Sequence, residues 1–199
     1  MSIASRKKLL AAGGPDAVVL ALTDTVRKAF ETPKPAGSDH HTLKPELTLP
    51  MPMRISQLAF SADDNYLVLS AENGGGLAVY DVQALMNGST TQTAFELPTN
   101  GQALRTLLPN PTPEKAELFA VVTVDGNLLM ANLKERSFVS GPNGQILKSG
   151  VSCVSWSARG KQLVAGLGDG TAHQITPEGA GKGDIPKPPK LSNEHGKFP

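Results

Sequence analysis

The sequence ISQLAFSA at residues 55–62 returns as VSCVSWSA at residues 151–158. Apolar side chains alternate identically in the two segments, both end in an aromatic residue followed by Ser-Ala, and 96 residues separate them. Alternation with a period of two is typical of a half-buried β-strand. A strand that returns at a distant position with the same pattern predicts a repeat architecture.

Each copy is followed by the same succession of features: three polar residues, an apolar strand, a Gly-rich turn and a further alternating strand. The turn is at residues 72–76 in the first copy and at 168–170 in the second. These turns contain Asn-Gly and Asp-Gly, which supply the positive φ that tight hairpins need. The predicted strands are 66–71 and 77–82 in the first copy, and 162–167 and 171–175 in the second.

Two further stretches fit this template, one between the copies around the turn Asp125-Gly126 and one upstream around residues 13–16. Four short strands every ~40–50 residues are typical of a WD-repeat-like β-propeller, whereas a β-sandwich would explain the strands but not their period. Outer strands are predicted at 43–49, 93–97 and 136–139, and innermost strands at 58–61, 104–108 and 154–157.

The predicted fold is therefore all-β, a partial, truncated WD-repeat-like β-propeller of about four blades. Only Ser2-Ile3-Ala4 remains for the first inner strand, and no outer strand is evident after Ile175. Residues 179–199 are expected to be an extended Pro/Gly/Lys-rich connector, since proline cannot donate to a sheet ladder; a disordered tail is the alternative. The blades are placed at 1–50 (truncated, with its loop), 51–98, 99–142 and 143–178.

The amino-acid composition of the chain argues against several classes of function. The 199 residues include 19 Lys+Arg and 18 Asp+Glu, whereas a general polyanion binder needs a surplus of cations on one face, so we expect no direct nucleic-acid binding. No apolar run reaches the ~18–20 residues of a membrane-spanning helix, so no membrane insertion is expected. The single Cys153 cannot form an intrachain disulfide, which favours a reducing compartment such as the cytosol or nucleus, and it is expected to be a small buried side chain.

The sequence lacks the residue groupings of catalysis. One cysteine and four histidines, at positions 40, 41, 173 and 195, leave too few clustered ligands for a zinc site. Gly74-Gly75-Gly76 is not followed by the Lys-Ser/Thr of a phosphate-binding loop. We therefore expect no enzymatic activity, no metal site and no cofactor.

Carboxylates recur at the predicted hairpin turns, as Asp16, Glu72, Asp125 and Asp169. A propeller would place these turns on one rim, and loops on a rigid scaffold commonly carry binding. Two interpretations stay open: Asp and Asn favour tight turns for local hydrogen-bonding reasons, or a partly acidic rim receives a basic partner. Under the second, Glu72, Asn73 and Asp125 are the candidate partner-binding residues.

The repeats resemble a known family. Residues 151–167, VSCVSWSARGKQLVAGL, followed by Gly170-Thr171, are similar to a blade of the N-terminal β-propeller of the cytoplasmic-filament FG-nucleoporins, in which V-x-x-V-x-W-S-x-x-G-K-Q-L recurs. Residues 184–189, DIPKPP, look like the I-P-x-P-P linker that follows this blade. The other matching stretches are 11–19 and 26–30, which resemble the first blade of fungal members, 58–61 with 77–83, and 110–111 with 124–126.

The resemblance implies a seven-bladed ring, of which this chain holds a truncated first blade and roughly the next three. It implies a location in the nucleus, at the nuclear envelope, in the nuclear pore complex at its cytoplasmic face, with other nucleoporins as partners. It further implies that the propeller docks the DEAD-box mRNA-export helicase on a surface that overlaps the helicase's RNA-binding surface, so that docking competes with RNA. A generic WD-repeat scaffold for another intracellular complex is the alternative.

Overall fold

The computed structural model describes residues 1–34, 36–37, 40–41, 43–88, 92–139, 145–148 and 150–186. These residues form four antiparallel sheets, each built from strands that follow one another in the chain. Sheet 1 contains β1 (Ser2–Ala4), β2 (Leu9–Gly13), β3 (Ala17–Leu22) and β4 (Leu47–Pro50). Sheet 2 contains β5 (Ile55–Phe60), β6 (Tyr66–Ala71), β7 (Leu77–Asp81) and β8 (Phe95–Leu97).

Sheet 3 contains β9 (Leu104–Pro109), β10 (Leu118–Thr123) and β11 (Leu128–Asn132), and both β12 (Ser137–Phe138) and β13 (Gln145–Leu147) pair with β11. Sheet 4 contains β14 (Val151–Trp156), β15 (Leu163–Leu167), β16 (Ala172–Ile175) and β17 (Gly181–Ile185). The predicted inner, middle and outer strands are thus present, and the all-β prediction is confirmed.

Several strands begin or end a few residues away from the predicted positions, and two blade boundaries differ from the sequence prediction. Residues 145–147, predicted in the fourth blade, pair with β11 of sheet 3, where Ile146 and Leu147 pack against its buried side chains. Residues 181–185, predicted in the connector, form the outer strand β17, so the expectation of no outer strand after Ile175 is wrong. A tight turn causes this, since the N–H of Thr176 donates to the carbonyl of Ala180 at 2.8 Å. The connector prediction for residues 187–199 lies outside the described residues.

Short helices interrupt the strands at one end of the sheets. Helix α1 (Thr23–Glu31) follows β3, α2 (Val82–Met86) follows β7, and a 3₁₀ turn (Pro113–Lys115) precedes β10. Glu46 holds the start of α1 through the N–H of Leu22 at 2.8 Å and the hydroxyl of Thr25 at 2.6 Å. In α2 the carboxylate of Asp81 accepts from the N–H of Ala84 at 2.8 Å, as an N-cap residue does. None of the described helices has the length and apolar character needed to cross a membrane.

The core lies between the sheets. Three clusters of buried side chains join sheet 1 to sheet 2, sheet 2 to sheet 3, and sheet 3 to sheet 4, and none of these clusters of described residues contains both sheet 1 and sheet 4. Alternate residues of one strand serve different clusters: Leu67 and Leu69 of β6 belong to the first, Val68 to the second. Sheets 2 and 3 are therefore covered on both faces, which explains their nearly continuous apolar runs.

Sheets 1 and 4 are covered on one face only by the described residues. On the other face of sheet 1, Ile3 is 55% exposed. On the other face of sheet 4, Cys153 and Ser155 are exposed. The prediction that Cys153 is buried is thus wrong, because nothing among the described residues packs against that face of β14.

Candidate partner-binding rim

The hairpin turns between the second and third strands lie at the same end of each sheet. In sheets 2, 3 and 4 one hydrogen bond repeats: a backbone N–H of the turn donates to the carbonyl just before the sheet's first strand. The pairs are Glu72 to Arg54 at 2.9 Å, Val124 to Ala103 at 2.9 Å, and Gly168 to Gly150 at 2.8 Å. We call these turns, together with the segments that lead into the first strands, the turn rim. It consists of residues 13–17, 51–54, 71–76, 98–103, 123–127, 150 and 168–171.

Glu72 and Asn73 are exposed at the start of the β6–β7 turn. The carboxylate of Glu72 lies 3.7 Å from the guanidinium of Arg54, with side-chain exposures of 58% and 69%. An ion pair that is so exposed to water contributes only ~0–1 kcal/mol to the free energy of unfolding. The carboxylate of Glu72 can therefore exchange Arg54 for another partner.

Glycines hold this turn against the end of β8 and against the segment that leads into sheet 3. Gly74 and Gly76 have φ of 85° and 112°. A Cβ at Gly76 would lie 2.2 Å from the carbonyl oxygen of Leu97, and one at Gly74 would lie 2.5 Å from that of Gly101. Only glycine fits both the conformation and the close approach, so the position of Glu72 and Asn73 is fixed relative to residues 97–103.

Asp125 is exposed in the β10–β11 turn, beside Val124, which is 61% exposed. Among the described residues its carboxylate has no hydrogen bond or ion pair. Residues 101–103 lie between the two turns, since Gly101 contacts Gly74 and the carbonyl of Ala103 accepts from Val124. The structure thus brings Glu72, Asn73 and Asp125 to one rim, on either side of this short segment.

The two other predicted turn carboxylates differ from each other. Asp16 is exposed, and its backbone carbonyl accepts from the N–H of Met51 at 2.7 Å. Asp169 accepts from the N–H of Thr171 at 2.8 Å and from its hydroxyl at 2.6 Å. For Asp169 the local turn chemistry therefore accounts for the residue, whereas Asp125 has no such local bond.

A half-open apolar pocket next to Glu72 was not predicted. It has a volume of about 200 Å³, and Tyr80 in its wall is only 6% exposed. Burial, together with the negative charge of Glu96, raises the pKa of the Tyr80 phenol. The pocket lining, which we call the Met pocket, consists of Met51, Pro52, Met53, Ile55, Leu69, Ala71, Gly74, Gly75, Gly76, Leu77, Ala78, Tyr80, Thr93 and Glu96.

At the opposite end of the sheets, polar groups join neighbouring sheets. The carboxylate of Asp64 in sheet 2 accepts from the backbone N–H groups of Arg6 and Lys7 at 2.6 and 3.1 Å. The buried side chain of Asn110 in sheet 3 donates to the carbonyl of Gly160 in sheet 4 at 2.9 Å. Among the described residues no three His, Cys, Asp or Glu side chains are grouped as a metal site.

Residues 1–198 match the family model of the NUP159/214 beta propeller. The chain is 60% identical over 195 residues to nucleoporin NUP159 of Chaetomium thermophilum, covering 98% of this chain and 13% of that protein. The chain thus spans a small part of the length of the curated relatives it matches.

Two solved structures are similar in fold. One is the N-terminal domain of Nup159, with a TM-score of 0.64 and 17% identity, covering 96% of this chain and 45% of the solved chain. The other is Saccharomyces cerevisiae Dbp5 bound to Nup159, Gle1, IP6 and ADP, with a TM-score of 0.60 and 17% identity, covering 88% of this chain and 39% of the solved chain. At this identity the likeness shows the fold alone.

Proposed function

The chain belongs to the NUP159/214 β-propeller family, and from that premise we propose that it is a docking platform for the DEAD-box mRNA-export helicase at the cytoplasmic face of the nuclear pore complex. The observation that carries the proposal is the solved complex in which Nup159, of similar fold, is bound to Dbp5. Other nucleoporins are its further partners. The chain acts by binding, since its curated relatives are nucleoporins, and it supplies no chemistry of its own.

The turn rim supports this proposal through charge. Asp125 is exposed and, among the described residues, unpaired; Glu72 has only an exposed ion pair. Negative charge on a rigid rim attracts a basic protein surface, and such rim charges mainly raise the association rate and set specificity. Asn73 adds an exposed amide that both donates and accepts hydrogen bonds. Docking to the basic RNA-binding surface of the helicase would then compete with RNA.

We also propose that the four sheets are four consecutive blades of a seven-bladed ring. Sheets 2 and 3 are buried on both faces, as blades inside a ring are, whereas Ile3 in sheet 1 and Cys153 in sheet 4 face outward uncovered by the described residues. Further blades of a longer family protein would cover these two faces and bury the apolar surface.

The test is a titration of the purified chain with the purified DEAD-box export helicase, with and without a single-stranded RNA oligonucleotide. We expect a complex without RNA and its displacement as RNA is added. Absence of a complex would overturn the docking proposal, and a ternary complex with unchanged affinity would overturn the competition. If a different intracellular complex is captured while the helicase is not, the chain is a scaffold for another assembly.

A further inference from the structure

The Met pocket lies at the turn rim, between sheet 2 and the segment that connects sheet 1 to sheet 2. Its floor is one row of residues across sheet 2: Leu69 pairs with Ala78, and Ala78 pairs with Glu96. Tyr80 lies on the same face of β7 as Ala78, two residues along. Because alanine has a small side chain, space is left above it between the phenol of Tyr80 and the carboxylate of Glu96.

The walls come from outside sheet 2. Met51, Pro52 and Met53 connect β4 to β5 on one side, and the glycine turn 74–76 borders the other. Met53 is 42% exposed, although thioether side chains usually gain from packing. A Cβ at Gly75 would meet no atom within 4 Å, so the turn leaves the mouth open.

The size suits one large side chain. An apolar cavity of ~150 Å³ in a protein core can hold a benzene molecule, and this pocket has a volume of about 200 Å³. Its surface is mostly apolar, with methionine, leucine, alanine and tyrosine side chains. An aromatic or large aliphatic side chain would therefore be removed from water here, which favours its insertion.

The negative charge of Glu96 at the pocket mouth indicates which residue type would lie next to the inserted side chain. Glu96 is exposed at the lip, and among the described residues no Lys or Arg nitrogen is within ion-pair distance of its carboxylate. Burial, and after it the charge of Glu96, raises the pKa of the Tyr80 phenol in the pocket wall. Glu72, on the far side of the glycine turn, already pairs with Arg54. The unmatched negative charge at the lip thus favours a basic group next to the inserted side chain.

We propose that the Met pocket binds an extended peptide segment of a partner protein, with one large apolar side chain inserted above Ala78 and an adjacent Lys or Arg paired with Glu96. This site is separate from Asp125 and does not require the partner to be the helicase. It would let the rim recognise a short motif as well as a surface charge.

The test uses NMR of the chain labelled with ¹³C at the methionine methyl groups. The probe is the capped peptide Ser-Arg-Phe-Ser, and the controls are Ser-Glu-Phe-Ser and Ser-Arg-Ala-Ser. We expect the Met51 and Met53 methyl signals to shift with the first peptide, to shift less with Ser-Glu-Phe-Ser at the same concentration, and not to shift with Ser-Arg-Ala-Ser. Met130, which is fully buried between sheets 3 and 4, is the internal reference and should not move.

Substitutions separate the two parts of the motif. Glu96→Gln should weaken the Arg-Phe peptide about two- to fivefold, the weight of an exposed ion pair, and Ala78→Leu should abolish binding by filling the pocket. Glu135→Gln, at the opposite end of the sheets, is the matched control and should change nothing.

Equal shifts with the Arg and Glu peptides, or no shift at Met51 and Met53, would overturn the proposal. A shift of these signals with protein concentration alone would assign the pocket to a second copy of the chain instead. Because Glu96 is exposed, its variant should fold and so tests the proposal even if Ala78→Leu does not. Helicase docking can fail while peptide binding persists, and the reverse, so the two proposals are tested separately.

Discussion

The side-chain NH₂ group of Asn110, in sheet 3, donates a hydrogen bond to the backbone carbonyl of Gly160, in sheet 4, at 2.9 Å. The Asn110 side chain is fully buried. Its other side-chain atom, Oδ1, accepts from the N–H and the hydroxyl of Thr112 at 3.1 and 2.8 Å. The side chain thus ties two neighbouring sheets together at the end opposite the turn rim. This bond gives the packing of the sheets a directional contact that apolar burial alone lacks.

We expect Asn110→Ala to lower the free energy of unfolding by about 1–3 kcal/mol, because the carbonyl of Gly160 is then left without a partner. Urea denaturation followed by circular dichroism measures the change. Asn73→Ala, at an exposed position, is the matched control and should fall within ~0.5 kcal/mol of the unsubstituted chain. Equal stabilities for both variants would show that the bond does not hold the sheets together.

Gly76 and Gly75 offer a matched pair in one turn. Both have a positive φ, 112° and 106°, so alanine at either position costs ~1–2 kcal/mol of backbone strain. Only at Gly76 would the added Cβ meet a backbone oxygen, that of Leu97 at 2.2 Å. We expect Gly76→Ala to be less stable than Gly75→Ala by a further ~1–3 kcal/mol in thermal or urea unfolding. If the two variants unfold alike, the turn is not packed tightly against the end of β8.

The carboxyl group of Asp63 makes the free energy of unfolding depend on pH. Burial by itself raises the pKa of its carboxyl, but hydrogen bonds from the hydroxyl of Ser61 and from Asn65 outweigh it, so that the pKa lies below its ordinary value. The charged form is therefore favoured by folding. Its contribution is complete above the unfolded pKa of ~3.9 and is lost as the pH falls through the lower folded value.

Denaturation of the chain between pH 5 and pH 2.5 should accordingly show a loss of stability that is smaller in Asp63→Asn. Above the ordinary aspartate range the variant should be the less stable of the two, because the amide replaces a carboxylate that accepts from three donors. Glu135→Gln, which removes an exposed carboxylate on the same side of the molecule, is the control. Parallel curves for Asp63→Asn and the unsubstituted chain would exclude this role of Asp63.

The sequence predicts most strands because their side chains alternate between two buried clusters. Strand β17 could not be predicted in this way, because all five of its residues are exposed and its pairing with β16 rests on backbone hydrogen bonds. Residues 145–147 are predicted only as part of the fourth blade, because the repeat pattern gives no sign of their pairing with β11 of sheet 3, which is fixed by tertiary contact.

The site was predicted only in part. Turn chemistry in the sequence predicts where Glu72, Asn73 and Asp125 lie, because each turn of the repeat occupies the same end of its sheet. The Met pocket could not be predicted, since its lining comes from three separate segments around Met51, Tyr80 and Glu96. The sequence motif Met51-Pro52-Met53 was the available signal, two large apolar side chains in a connection between strands.

We propose that the turn rim docks the helicase through its negative charge. The most direct test is the dissociation constant of the helicase for three chains. Reversal of the rim charges in Glu72→Lys/Asp125→Lys should weaken binding at least about tenfold, mainly by slowing association. Glu135→Lys, with one reversed charge at the opposite end of β11, should bind as the unsubstituted chain does. Unchanged binding by the double variant would contradict docking through the rim charge, and a loss in Glu135→Lys would place docking at the other end of the sheets.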